Sequence, residues 1–292
     1  LRTRLTRKEP NTNPNDHGIP DGPFVLLLYA GPDNHTSLEM AIQSEAPWLS
    51  PYVFAVDITR DKQRHNMLDG NLYHHLLPRA ASGDLLAIIG GPNCRTWSIL
   101  SHKPQRDGTP GHPLRGRQGP ECWGLPDLTQ QELAKTDDDS TLAVRMMSLY
   151  YTARTAGHDP IFLIDRKSVL EGNSREPTAN ECSSLWETDA LKTFVSEHGL
   201  LCSTFPQCAL GQSHGAKWTT ACFRHLPPLR RLEGLQCPHS RHPDPTPHSA
   251  ELSRWAPGLN ERVAKGLVNV LPSLQKWSNK HDSDRQIDTI AT

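Results

Sequence analysis

The sequence predicts an α/β protein: a doubly wound, mostly parallel sheet that ends in a C-terminal antiparallel hairpin. Three observations predict it. Apolar runs of strand length are continuous rather than alternating, as strands covered on both faces require. Helical patterns separate these runs, so the strands are joined by crossovers. Near the end, "GLLCSTFPQCALGQSHGAKWTTACF" (199–223) reads as two strands around a Gly-containing loop.

The elements follow in order. Residues 1–22 are polar and Pro-containing, a flexible lead-in. "FVLLLYAG" (24–31) is the first strand, and "TSLEMAIQSEA" the first helix, with Leu38, Met40, Ile42 and Ala46. "YVFAVDI" (52–58) is the second strand, and "DGNLYHHLLPRAASG" a helix with a Gly stop. "LLAIIGG" (85–91) is the third strand. Residues 101–136 are rich in Pro, Gly, Arg and Gln, and are too long for a passive connection; they read as a functional lid or a partly disordered segment. A helix at "DSTLAVRMMSLYYTARTAG" leads to a fourth strand, "PIFLIDR" (160–166). After the hairpin, "CPHSRHPDPTPHS" is poor in apolar residues, and one amphipathic helix, "LNERVAKGLVNVLPSL", precedes a polar tail. The expected organisation is a lead-in (1–22), a catalytic-type domain (23–236) and a polar C-terminal extension with one helix (237–292).

Bulk properties exclude more than they assign. With 292 residues the chain can bury a sizeable core. A net charge of −1 gives no global attraction to nucleic acid or membrane, so a DNA partner would need a local basic patch. Seven cysteines, an odd number without disulfide-framework spacing, read as reduced thiols in an intracellular protein, the nucleus among its candidate locations. No apolar run approaches bilayer length, and "LRTRLTRKEP" leads into no signal-like core. Beginning at Leu rather than Met, the chain reads as a piece of a longer polypeptide.

The chemistry gathers where "LLAIIGGPNCRTWSIL" runs from strand into turn. Cys94 stands just past a strand end, the place where parallel sheets collect ligands. A helix beginning beyond it, together with Arg95, would favour its thiolate. "GGPNCRTWS" resembles the catalytic loop of cytosine-5 DNA methyltransferases, in which a Gly-Pro-Pro-Cys turn precedes an aromatic residue and a Ser. Other segments match in order. "LLLYAGPDNHTSLEMAI" resembles that family's first motif, beside the methionyl end of S-adenosylmethionine. "VFAVDI" resembles the second, whose acid (here Asp57) holds the ribose hydroxyls. "HNMLDGN" offers Asp69 to the adenine amino group. The likeness covers 24–100 well and 160–225 loosely. It is nearest to divergent domains carried in mobile-element polyproteins, where the loop often reads Cys-Arg-Thr-Trp-Ser.

The resemblance implies a Rossmann-like methyltransferase fold, S-adenosylmethionine as cofactor, and methyl transfer to cytosine carbon 5 in DNA through a covalent cysteine adduct. It implies Cys94 as nucleophile and Asp165 as acid. Ala30, Gly31, Asp57, Ile58, Asp69, Gly91 and Pro92 would line the cofactor; Arg95, Ser98, Gln207 and Lys217 would meet the substrate. A thiolate is needed because cytosine carbon 5 is a poor nucleophile until sulfur adds at carbon 6.

There are departures. Asp165 stands where the family has Glu, no Arg accompanies Gln207, and Asn93 replaces the second Pro and loosens the turn. The loop after Gly31 lacks further glycines, and no large recognition domain is inserted. The alternative is a degenerate domain that binds nucleic acid or protein within a polyprotein; a transferase acting on RNA or free nucleotide is a third reading.

Segment 102–118, with Lys103, Arg106, Arg115 and Arg117, is either a basic wall for DNA or a solvated loop. Trp97 and Trp123 either stack on a base or pack. Cys222, His225, Cys237, His239 and His242 gather soft ligands, but at spacings unlike common zinc modules, so no metal is expected. Asp137, Asp138 and Asp139 read as a solvated helix cap.

Overall fold

The computed structural model describes residues 17–32, 34, 37–93, 95–97, 101, 108–167, 184–211, 217–239 and 254–271. Six strands form one sheet: β1 (Phe24–Leu28), β2 (Val53–Val56), β3 (Leu85–Gly90), β4 (Ile161–Lys167), β5 (Leu201–Pro206) and β6 (Trp218–Arg224), in the order β2-β1-β3-β4-β6-β5. The pairs β1–β2, β1–β3 and β3–β4 are parallel. β6 runs against both of its neighbours, β4 and β5, which makes the sheet mixed.

The continuous apolar runs have the expected cause. Phe24, Leu26, Leu28, Ile88, Phe162 and Ile164 face one core, which takes in α2 (Asn71–Ser82), α3 (Gln130–Thr155) and α4 (Asp189–Glu197). Val25, Leu27, Ala87, Ile89, Ile161 and Leu163 face the other, with α1 (Leu38–Glu45), the short α5 (Pro227–Arg230) and α6 (Pro257–Val270). Alternate residues of β1, β3 and β4 thus enter opposite cores, whereas β5 at the sheet edge leaves Leu201 and Cys202 exposed.

Three expectations change. α3 starts at Gln130, well before the Asp triplet, because Thr129 and Glu132 form a reciprocal capping box. Asp139 therefore sits inside the helix, fully buried rather than solvated. The helix assigned to the polar extension is part of the domain: α6 lies along α1 and buries Leu259, Val263 and Leu267 in the sheet's second core. The cysteines are not all thiols either. Cys202 and Cys222 stand directly opposite on β5 and β6 and form a disulfide, a pairing set by hairpin register and not readable from spacing. No helix among the described residues is long and apolar enough to cross a membrane.

Beyond α3, Asp159 ties the helix end to β6. Its carboxylate takes Arg154 (2.7 Å), both Arg224 Nε and Nη2 (2.8 and 2.9 Å) and His225 Nε2 (3.0 Å). Burial alone would raise its pKa, but the bonds from Arg224 and His225 outweigh it and hold the carboxyl well below the carboxylate range. A depressed pKa contributes stability above the unfolded value near 3.8 and loses it as pH falls through the folded one. Asp159→Asn should therefore cost about 1 kcal/mol at neutral pH, a modest figure because the site is partly solvated. In urea melts the gap from wild type should close progressively below about pH 4; a gap that stays constant into acid would contradict the ion cluster.

Candidate functional site

The sheet order reverses between β1 and β3, since the chain leaves β1 toward β2 on one side and continues through β3 and β4 on the other. Crevices at such switch points, outside the carboxyl ends of the strands, are where α/β sheets bind ligands. β1 ends there on Tyr29-Ala30-Gly31, β2 on Asp57-Ile58, β3 on Gly91-Pro92-Asn93, and β4 passes through Asp165.

Each end is held in a definite way. Tyr29 has a left-handed backbone (φ 59°), uncommon for a bulky side chain, and its hydroxyl donates to the Leu142 carbonyl (2.6 Å). Such strain concentrates at functional turns, and no sequence signal announced it. The Gly31 N–H donates to Asp57 Oδ2 (2.9 Å), while the Thr59 N–H and hydroxyl donate to Oδ1 (2.8 and 2.6 Å). Arg60 donates from Nε to the Gly31 carbonyl (2.6 Å) and pairs with Glu39 at the start of α1. Asp57 thus braces the Gly31 turn, with three of its roughly four acceptor positions used. Beside it Ile58 is 45% exposed, an apolar side chain standing at a strand end. Asp69 accepts from the Asn71 N–H (3.0 Å) and starts α2.

β3 and β4 meet tightly. A Cβ on Gly91 would stand 2.3 Å from Asp165 Oδ1, so only glycine admits this carboxyl against the turn. Asp165 is buried at 6% exposure. Cys94 and Ser98 lie outside the described residues, as do Lys103 and Arg106. The neighbours of Cys94 are firmly placed. Asn93 Oδ1 accepts from the Arg95 N–H (3.3 Å), a contact that a Pro at this position would not make.

Beyond it lies a buried polar network that the sequence reading missed. Asp139 accepts from Arg95 Nε (3.0 Å), the Thr96 N–H (3.1 Å) and the Thr96 hydroxyl (2.7 Å). Arg115 donates to Thr96 Oγ1 (2.9 Å), the Cys122 carbonyl (3.0 Å), the Thr136 carbonyl (2.6 Å) and Ser140 Oγ (3.1 Å). Its guanidinium carbon lies 3.7 Å from the Trp97 ring centroid. The spacing 136, 139, 143, 146, 150, 153 on one helix face could have flagged Asp139 as buried.

The structure bears on five of the residues considered for substrate contact. Arg115, at 1% exposure, faces the interior and forms no basic wall; of the named cations in 102–118 that are described, Arg117 alone is exposed. Trp97 is packed, edge-on to Trp123, with its Nε1 donating to the Cys122 carbonyl (3.2 Å). Arg95 is half exposed but engaged by Asp139 and Asp138. Gln207 is fully buried: its Nε2 donates to Thr219 Oγ1 (2.7 Å), and its Oε1 accepts from the Ala256 N–H (2.8 Å). It fastens the start of α6 to β6 and is not offered to a base. Lys217, half-buried, donates to the Arg254 carbonyl (3.2 Å).

An open depression of about 480 Å³ lined by Tyr73, Trp123, Ser140, Val144 and Arg145 lies between α2 and α3, beside Leu142, whose carbonyl accepts from the Tyr29 hydroxyl. On the far side of the sheet edge, Cys208, Cys237 and His239 converge. Burial, then the Cys237 thiol, push the Cys208 thiol up to about 11. No protein-family model matches this chain, and no curated protein matches it either.

Proposed function

We propose that this chain is an S-adenosylmethionine-dependent methyltransferase acting on carbon 5 of cytosine, with Cys94 as nucleophile. One observation carries the reading. The switch point of the sheet gathers the Gly31 turn, Asp57, Gly91-Pro92 and Asp165 at one edge, as the resemblance requires of the segments that carry it. The strand order supports it as well, with a single reversed strand next to the edge of an otherwise parallel sheet, the arrangement of a Rossmann-like methyltransferase fold.

The cofactor's fit rests on the space beside Gly31, where an added Cβ would meet no atom of the described residues within 4 Å. Ala30, Gly31 and Asp57 would hold its methionyl and ribose parts, Ile58 and Asp69 its adenine. When bound, S-adenosylmethionine supplies a sulfonium-activated methyl group. The chain's own residues do the rest. The Cys94 thiolate adds at carbon 6 of cytosine, which makes carbon 5 an enamine-type nucleophile. Asp165 delivers a proton toward ring nitrogen 3 as the charge develops there. Once carbon 5 has taken the methyl, its proton passes to a base and the carbon 6–sulfur bond breaks to release the thiolate. The nitrogen 3 proton returns to Asp165, which restores the ring. The polymer is DNA by resemblance, and a base in a duplex would have to be extruded.

The second reading, a binding domain without turnover, is favoured by the burial of Gln207 and Arg115, which removes two expected substrate contacts. The test is transfer of labelled methyl from S-adenosylmethionine to single- and double-stranded cytosine-rich DNA, with calorimetric cofactor binding in parallel. The expected result is labelling that falls to background in Cys94→Ser while cofactor binding is unchanged. Cofactor binding without labelling of either DNA would favour the binding domain, and neither binding nor labelling would remove the methyltransferase reading.

A further inference from the structure

We infer that Cys208, Cys237 and His239 form a zinc site that staples the end of β5 to the loop following α5. The three donor atoms lie within 4.8 Å of one another, though Cys208 and Cys237 are 29 residues apart. The Sγ atoms of Cys208 and Cys237 are 3.5 Å apart, and Cys237 Sγ is 3.8 Å from His239 Nδ1. Tetrahedral zinc with its usual bond lengths (Zn–S ~2.3 Å, Zn–N ~2.0 Å) has S–S edges of about 3.8 Å and S–N edges of about 3.5 Å. The Cys237 sulfur thus stands from both other donors at about the spacing of a coordination sphere, and the two sulfurs are too far apart for a sulfur–sulfur bond.

The donor chemistry selects the ion. Two thiolates and an imidazole suit zinc in preference to calcium or magnesium, which take oxygen. The surroundings fit as well. The His239 N–H donates to Cys237 Sγ (3.5 Å), the kind of bond that supports a metal-bound thiolate. Pro238 between the two ligands limits the freedom of that short loop. Cys208 is carried on the 3-10 turn Gln207–Leu210, directly beside the Gln207 that fastens α6, so the ion would lock both late segments to the same strand end. Three protein donors leave one tetrahedral position for water or a further ligand. The inference stands apart from the methyl-transfer reading, since none of these residues belongs to that site.

The test is elemental analysis of the purified 292-residue chain, without added chelator, with Cys237→Ser and His239→Ala alongside wild type. Both variants alter partly or fully exposed residues and should fold. The expected result is about one zinc per wild-type chain, most of it lost in each variant, with near-unchanged circular dichroism. Replacement by cobalt should give thiolate-to-metal charge-transfer absorption in wild type and lose it in Cys237→Ser. Wild-type protein free of metal, zinc retained undiminished by both variants, or a Cys208–Cys237 disulfide found by peptide mapping would each overturn the site. A different metal at the same stoichiometry would overturn the zinc assignment.

Discussion

Asp139→Ala should destabilise the protein by about 3 kcal/mol or more, read as a lower urea midpoint with little change in slope. The carboxylate is fully buried, and the substitution leaves three donors without their acceptor: the Thr96 N–H, its hydroxyl and Arg95 Nε. The Thr96 hydroxyl joins Asp139 to Arg115, so the change also strips a buried guanidinium of the negative charge nearest its network. Unpaired buried donors cost about 1–3 kcal/mol each, and an uncompensated buried charge costs more. Asp138→Ala is the control. That carboxylate is half exposed and reaches Arg95 only at 3.5 Å, so its loss should stay within about 0.5 kcal/mol. Equal melting of the two variants would mean the network does not hold the turn.

The second large effect separates two adjacent glycines. A Cβ on Gly90 would stand 2.3 Å from the Leu28 carbonyl oxygen, a main-chain atom of the paired strand β1. It has nowhere to go without parting the two strands that define the switch point, and Gly90→Ala should cost about 2–4 kcal/mol. Gly91→Ala meets a side chain instead, Asp165 Oδ1 at 2.3 Å. A carboxyl can turn, so stability should fall by only about 1 kcal/mol. If the chain acts as proposed, the turned carboxyl is then misplaced for proton delivery, and methyl transfer should drop by about 100-fold. Full activity in Gly91→Ala would remove Asp165 from the mechanism. Denaturant melts and labelled-methyl assays on the same preparations read both effects.

What was legible in the sequence was what local physics dictates. Strands buried on both faces leave unbroken apolar runs, so β1 to β4 could be read directly, and their parallel pairing followed from the intervening helices. Pairings between distant segments were not legible. Arg115 lies in a stretch of Pro and Gly that looks solvated, and its partners come from Thr96, Cys122, Thr136 and Ser140. Gln207 looks like a hairpin residue until the Ala256 N–H is seen to close on it from 49 positions away. Cys208 and Cys237 likewise meet only after the hairpin and α5 have turned the chain back. The start of α3 was legible and misread: Thr129-x-x-Glu132 is a capping box, but the three consecutive aspartates drew the reading further on.

α3 is a single uninterrupted helix of 26 residues. Its second half is wedged into the core at Tyr150, whose ring packs on Phe162 and Phe194, and its first half carries Asp139 to the turn around Arg95 and Thr96. At ~1.5 Å per residue, Asp139 stands about 16 Å along the rod from that fulcrum. A tilt of about 5° at Tyr150, which a repacked phenyl ring could produce, swings Asp139 by about 1.4 Å. The helix is therefore a lever: small packing errors deep in the apolar core arrive magnified at the residues that flank Cys94. Substitutions deep in that core should then disturb the turn around Arg95 and Thr96 before they register as losses of fold.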